Sequence, residues 1–491
     1  MDSMPYQLHI LFFPYMAHGH MIPTVDMARL FSRRGVKATI VSTPLNAPLC
    51  SKTIERDRQL GLDISIHIIK FPSAEAGLPE GCENLSSIPS PDMLSNFLKA
   101  IGMLQQPLEQ LLEECHPSCL VADMVFPWAT EAANKLRIPR LFFSGTGFFP
   151  ACVFDSLKRY EPHKGVDSDF EPFVVPGLPD QIKLTRLRLP AYIKERTENE
   201  LTKLMDKISE SMVRSYGVLT NSFLELEPAY SEHYRMEIKR KAWHIGPLSL
   251  CNRDMKDKAE RGNVSSIDEH ECMRWLAKKN PNSVLYICFG SFFNLSAAQL
   301  LEIAMALEAS GQNFIWVVRE RKQTKLAEKE EWLPEGFEKR MEGKGLIVSG
   351  WAPQVLILDH KAVGGFMTHC GWNSTLEGVT AGVPMVTWPL GAEQFCNEKL
   401  ITDVLKIGIG VGAQEWSRYE KKIIVRKEDI EKAIIQLMVG EEAEEIRNRA
   451  RVLKEMARRA TEEGGSSYSD LTAFLEELRT LETSKQERAA H

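Results

Sequence analysis

Two histidines, His18 and His20, follow a short apolar run, Leu8–Pro14, in the segment Met16-Ala17-His18-Gly19-His20-Met21-Ile22-Pro23. Imidazole is the side chain best suited to take a proton near neutral pH. A second apolar run, Cys119–Asp123, ends on a carboxylate. A carboxylate beside an imidazole accepts from one ring nitrogen, orients the ring and stabilises its cation. A helix N-terminus disfavours the charged imidazole and a carboxylate favours it. The two together would leave His20 titrating near neutrality, where a general base works well. Taken alone, a histidine in a Gly-His turn is more often structural, and His18 is a rival two residues away.

The second group of chemistry-bearing residues lies between Trp351 and Gln394. His369-Cys370-Gly371-Trp372-Asn373-Ser374 is a turn rich in donors, placed between an apolar run, Gly364–Thr368, and a helical stretch from Thr375 to Gly382. Strand, glycine turn and helix start make an anion site, because free backbone N–H groups and the positive end of the helix dipole converge there. The same residues also fit a capped helix, since Ser374-x-x-Glu377 matches a capping box. Trp351 follows the run Gly345–Ser349 and can present its face to a planar base or plug a core edge. Glu393-Gln394 can exchange hydrogen bonds with sugar hydroxyls or simply be solvated.

These groups need elements that hold them at an edge. Leu8–Pro14 and Lys37–Thr43 read as strands, and Met21–Arg34 between them has apolar residues at Ile22, Val25, Leu30 and Phe31, a helical spacing closed by Gly35. Cys119–Asp123, Arg140–Ser144 and Tyr216–Asn221 continue the pattern. A second series, Val284–Phe289, Asn313–Arg319, Gly345–Ser349, Gly364–Thr368 and Met385–Trp388, follows a polar stretch of mixed charge. The fold expected is α/β, with two doubly wound domains facing across a cleft. Their bounds are 1–250 and 269–465, with a linker at 251–268 and a C-terminal helix and tail, 466–491, returning to the first domain. Arg321–Glu331 reads as a solvated insertion, and Thr483–His491 as a polar end that frays.

Composition narrows the function classes. The 491 residues carry 60 Lys+Arg and 66 Asp+Glu, a net charge of −6, so no basic footprint for nucleic acid or anionic lipid is present. Ten dispersed cysteines without a C-x-x-C pair suit reduced thiols in a cytoplasmic protein rather than disulfides or a zinc cage. No run is long enough for a membrane span. Asp167-Ser168-Asp169 has a metal-binding look, but it sits in a polar stretch with no strand before it and reads as a solvated loop. No metal site is expected, and the chain is expected to be a monomer.

The stretch Trp351–Gln394 closely resembles the signature of plant family 1 UDP-glycosyltransferases, and the likeness runs from Leu8 to about Leu478. The resemblance implies the GT-B fold, no prosthetic group, and UDP-glucose as the sugar donor. It implies that Trp351 stacks on uracil, that Ala352 and Gln354 contact the base and ribose edge, and that Glu377 takes the ribose hydroxyls. His369, Gly371, Asn373 and Ser374 would hold the diphosphate with Ser291. Trp372, Glu393 and Gln394 would contact the sugar, a terminal glutamine favouring glucose. Glu393 stands where many members carry Asp. Gly19-His20-x-x-Pro23 fits the family's base motif, which makes His20 the base assisted by Asp123 and leaves His18 at most to line the acceptor pocket. Thr146, with Ser144, would reach sugar or phosphate.

The acceptor is expected to be a small apolar plant metabolite, a flavonoid or other phenolic before a triterpenoid or steroid. Apolar candidates for its pocket are Met16, Phe126, Phe148, Phe149, Tyr192, Met205 and Ala392. Two other classes can share this fold: a nucleotide-sugar hydrolase or epimerase that needs no acceptor, and a non-catalytic metabolite-binding protein.

Overall fold

The computed structural model describes residues 7–319, 332–417 and 421–490; the stretch Arg321–Glu331 lies outside the described residues. The first half builds strands β1 (His9–Phe13), β2 (Lys37–Ser42), β3 (Ile64–Ile68), β4 (Cys119–Asp123), β5 (Arg140–Phe143), β6 (Phe173–Val174), β7 (Lys183–Leu184), β8 (Gly217–Thr220) and β9 (Ala242–His244). Seven of them form one parallel sheet in the order β3-β2-β1-β4-β5-β8-β9, and β6 and β7 make a small antiparallel pair apart from it. The second half builds β10 (Val284–Cys288), β11 (Asn313–Val318), β12 (Gly345–Ser349), β13 (Val363–Thr368), β14 (Met385–Thr387) and β15 (Gly408–Gly410), in the order β12-β11-β10-β13-β14-β15.

Both orders reverse at the first strand of each half, between β1 and β4 and between β10 and β13. In an open parallel sheet the loops leaving two such strands diverge, one to each face, and open a crevice at their carboxyl ends. The strands are apolar almost throughout because both faces are covered. Along β1, Ile10 and Phe12 join one buried cluster and Leu11 and Phe13 the other.

Helix α1 (His18–Ser32) connects β1 to β2 and begins earlier than the apolar spacing suggested, at His18 itself. Helix α2 (Pro48–Gln59) leads toward β3. The linker holds a short helix, α3 (Met255–Ala259), and α4 (Trp372–Ala381) follows β13. The final helix, α5 (Ser466–Ala490), crosses to the first half, where Phe474 packs on Phe31 and Trp243 and Asp470 accepts from His244. The tail expected to fray from Thr483 instead continues this helix to Ala490.

The halves meet directly. The Trp372 indole N–H donates to the Asn221 carbonyl at 2.7 Å, the Asn373 amide to the Gly19 carbonyl at 2.6 Å, and the Trp416 backbone N–H to Leu187 at 2.8 Å.

Candidate active site

The register that sets Phe13 beside Ala122 brings the carboxyl ends of β1 and β4 together at the first crevice. After β1 the chain turns, and Ala17 caps α1 without any side-chain bond. His20 therefore lies in the helix's first turn rather than in a loop before it. Its Nδ1 stands 2.7 Å from Oδ2 of Asp123, whose side chain is fully buried while that of His20 is 28% exposed. The second oxygen of Asp123 accepts from the Val125 backbone N–H at 3.1 Å. An ionised carboxylate has no proton to give, so Nδ1 carries the hydrogen and Nε2 is the ring's free lone pair. The ring of Tyr15 meets the imidazole edge-on at 5.3 Å.

Burial alone would lower the pKa of His20. The carboxylate of Asp123, helped by that of Glu393, overcomes this and raises it above the ordinary 6.5. The helix terminus works in the same direction as burial, and the Asp123 contact prevails over both. Behind the pair lies Arg140, fully buried, whose Nη2 donates to the carbonyls of Ala122 and Asp123, each at 3.1 Å. Burial holds this guanidinium down to about 9. Sequence reading overlooked Arg140, although an arginine opening an otherwise apolar strand was a visible signal.

At the second crevice, β10 runs into Phe289-Gly290-Ser291 and β13 into His369-Cys370-Gly371. Helix α4 starts at Trp372 with Gly371 as its cap residue, three residues earlier than expected. Ser374 is thus inside the helix and is no capping residue. The capping-box reading fails for Glu377 too, because its carboxylate accepts from Gln354 Nε2 at 2.6 Å and pairs with Arg261. The imidazole of His369 is enclosed by two glycines: a Cβ on Gly290 would fall 2.7 Å from the ring, and one on Gly371 2.5 Å. Burial lowers His369 to about 4, so it is neutral and can offer one N–H. Its Nδ1, Oδ1 of Asn373 and Oγ1 of Thr375 are buried with no partner among the described residues.

Trp351, Gln354, Ser374 and Glu377 form one connected patch. Gln354 Nε2 also reaches Ser374 Oγ at 3.1 Å, and its Oε1 accepts from Tyr286 at 3.3 Å. Ala352 is buried beside them. His18, expected in the acceptor pocket, stands instead against the Trp351 ring at 5.5 Å, with Nε2 3.1 Å from Asn263 Oδ1; burial lowers its pKa. The linker residues Arg261 to Ser266, which no sequence motif marked, touch this patch at several points.

The trio expected at the sugar is divided. Glu393 accepts from Asn397 at 3.1 Å and from the Trp372 backbone N–H. Burial raises its pKa against the pull of His20. Gln394 is 4% exposed, and its Oε1 accepts from the backbone N–H groups of Leu390 and Gly391. The Trp372 side chain is buried against the first half, its indole N–H on the Asn221 carbonyl, while its backbone N–H donates to Glu393. Ala392, exposed with φ of 48°, adjoins them.

The apolar acceptor candidates are likewise divided. Phe126 stacks on Phe13 at 4.1 Å, Phe148 packs on Tyr234 and His244, and Phe149 on Tyr230, so all three are core. Met16 is buried, Met205 packs beside Phe142 and Ile208, and Tyr192 is partly exposed on a short helix, Ala191–Lys194. Ser144 and Thr146 hydroxyls lie 3.2 Å apart in the loop after β5. Asp169 of the acidic triplet pairs with Lys194 at 2.7 Å and Arg186 at 2.9 Å, which accounts for its charge. Among the described residues no helix is long and apolar enough to cross a membrane, and no cluster of three metal-ligating side chains occurs.

Residues 91–438 match the model of the family described as UDP-glucoronosyl and UDP-glucosyl transferase. The scopoletin glucosyltransferase of Nicotiana tabacum is 59% identical, over 96% of this chain and 98% of its own length. The UDP-glucose flavonoid 3-O-glucosyltransferase 7 of Fragaria ananassa is 54% identical over 97% of each chain. Among solved structures, UGT73P12 of Glycyrrhiza uralensis, complexed with glycyrrhetinic acid 3-O-monoglucuronide, superposes with a TM-score of 0.93 at 41% identity, covering 99% of this chain and 98% of that one. UGT71G1 of Medicago truncatula, complexed with UDP-glucose, gives 0.77 at 25% identity over 98% and 100%. The shared architecture is GT-B.

Proposed function

Since this chain belongs to the plant family 1 UDP-glycosyltransferases and is therefore a sugar transferase using a UDP-sugar donor, we propose that it moves glucose from UDP-glucose to a hydroxyl of a flat phenolic, with His20 as general base. One observation carries the base assignment: the 2.7 Å contact of His20 Nδ1 with a fully buried Asp123, which leaves Nε2 for the acceptor. The acceptor class is inferred from relatives named for scopoletin and for a flavonoid; a triterpenoid stands second, from the glycyrrhetinic acid derivative in the Glycyrrhiza complex.

In this reading the acceptor hydroxyl gives its proton to Nε2 while its oxygen attacks the anomeric carbon. UDP leaves from the opposite face, so an α-linked donor yields a β-glucoside. Asp123 stabilises the imidazolium as it forms. Charge grows on the departing diphosphate, where the N-terminus of α4 and the single N–H of neutral His369 supply donors. Trp351, Gln354 and Glu377 take the base and ribose, with Ser291, Asn373 and Ser374 lining the diphosphate. Glu393, turned toward His20, and the amide of Gln394 take sugar hydroxyls.

The test is a panel of coumarins, flavonoids and triterpenoids incubated with UDP-glucose, following UDP and new glucosides by mass spectrometry. UDP release that depends on acceptor is the expected outcome. Release without acceptor would instead indicate hydrolysis or epimerisation, and no release a binding protein. In parallel, His20→Ala should abolish transfer while UDP still binds; near-normal turnover would remove His20 from the mechanism.

A further inference from the structure

The linker between the halves is clamped, and its charges are used. Arg29 of α1, almost wholly buried, donates to Asp57 of α2 at 2.5 Å and, across to the linker, to Asp257 at 2.7 Å and to Asn252 at 2.5 Å. Arg56 pairs with Asp257 at 2.9 Å and with Glu260. Asn252 in turn donates to Asp26 at 2.9 Å. One buried ion pair, Arg29–Asp257, two partly exposed ones from Arg56, and the buried Asn252 bonds hold this segment on the first half.

Its tip reaches into the second half. Arg261, 10% exposed at the side chain, donates through Nε to Asp26 at 2.8 Å and through Nη1 to Glu377. Gly262 lies on the Trp351 ring so closely that a Cβ there would sit 2.5 Å from Cζ2, and its φ of +95° is one that glycine tolerates. Asn263 meets His18, and Ser266 exchanges hydrogen bonds with the backbone of Trp351 at 2.8 and 2.9 Å. The indole and the carboxylate covered in this way are the two groups that the proposed function gives to uracil and ribose.

We propose that Arg261 sets donor affinity by competing with the nucleotide: its guanidinium and the adjoining Gly262 occupy the positions of ribose and uracil, and they must withdraw before UDP-glucose can bind. This rests on the assignment of Trp351 and Glu377 to the nucleotide. A buried carboxylate paired to a guanidinium is not available to two ribose hydroxyls. With Gly262 this close to Cζ2 and Cε2 of Trp351, a base has no room at that side of the indole. The apparent affinity is then the intrinsic one scaled by the fraction of molecules whose tip is withdrawn.

The experiment measures UDP binding by calorimetry to the wild type, Arg261→Ala and Trp351→Ala, with hydrogen exchange on the wild type with and without UDP. Arg261→Ala should tighten UDP about three- to tenfold. In the wild type, amides of residues 261–266 should exchange faster once UDP is bound. Weaker or unchanged binding by Arg261→Ala, or slower exchange at 261–266 on binding, overturns the proposal; the former with tighter protection would mean that Arg261 holds the nucleotide. Trp351→Ala separates the two readings. If it weakens UDP while Arg261→Ala fails to tighten it, the competition is wrong and the donor site stands. If it leaves UDP affinity unchanged, the donor-site assignment itself falls, and the competition with it.

Discussion

The crevice at β1 and β4 and the crevice at β10 and β13 have the same topology and opposite chemistry. The first holds a pair of ionisable side chains, His20 and Asp123, in direct contact, with the carboxylate fully buried. The second holds a glycine turn, the start of a helix, and an imidazole that burial keeps neutral. A base must change its charge during the reaction, so its partner has to be a fixed opposite charge. A site for a diphosphate has to supply donors without changing charge, and backbone N–H groups do so with little reorganisation. On the proposed roles, one scaffold supports both tasks because topology supplies only the crevice, while the loops supply the chemistry.

The comparison breaks most visibly at His20. His20→Ala should lower kcat by about a thousandfold or more, the usual range for loss of a general base, with UDP affinity within about twofold of wild type by calorimetry. If UDP affinity falls in step with kcat, the two crevices are not separate in role.

Asp123→Asn should cost about a hundredfold or more in kcat, since the amide cannot fix the tautomer or offset the imidazolium. The pH profile gives the sharper readout. With Asp123 present the His20 pKa is raised above 6.5, so kcat/KM should climb as pH rises through that value and level off beyond it. In the variant, burial is opposed only by the carboxylate of Glu393, and the acid limb should move to lower pH. A limb that stays in place would assign it to another group.

At the other crevice, Gly371→Ala places a Cβ 2.5 Å from His369. Displacing the ring should raise donor KM about tenfold, the scale of overpacking by one methyl, without moving the pH limb set by His20. A shifted limb would show that the two crevices are electrostatically coupled. The smallest effect is expected from Asn373→Ala, which removes the 2.6 Å bond to Gly19 across the cleft. A loss of about 1 kcal/mol is the usual value for one hydrogen bond. It should appear as a few-fold rise in donor KM, with acceptor KM unchanged.

Much of this was legible before any coordinates. Cys119–Asp123 reads as a strand and is one over those same residues, because a parallel strand buried on both faces is an uninterrupted apolar run; Gly345–Ser349 also matches residue for residue, although it is a half-buried edge strand. Besides the two-residue pair β6 and β7, which stands apart from the main sheets, the strands that escaped notice are β3, β9 and β15. Two are only three residues long, β15 is Gly-Ile-Gly, and all three border their sheets, where half the ladder and much of the burial are missing. The first turns of α1 and α4 escaped for a different reason. Neither has a side-chain cap, and His18-Gly19-His20 and Trp372-Asn373-Ser374 are poor helix formers that the surrounding packing holds in place.

Residue types and spacing determined which groups could do chemistry and which crevice each would border, because apolar period and turn residues are local properties. Only the tertiary structure decided how those groups are used. It turned Trp372 into an interdomain contact, put Phe126, Phe148 and Phe149 into the core, moved His18 to the Trp351 side, and laid Arg261 on Glu377. Each of these depends on what lies opposite a side chain, and the opposing partner comes from a segment up to a few hundred residues away, beyond the reach of any local pattern.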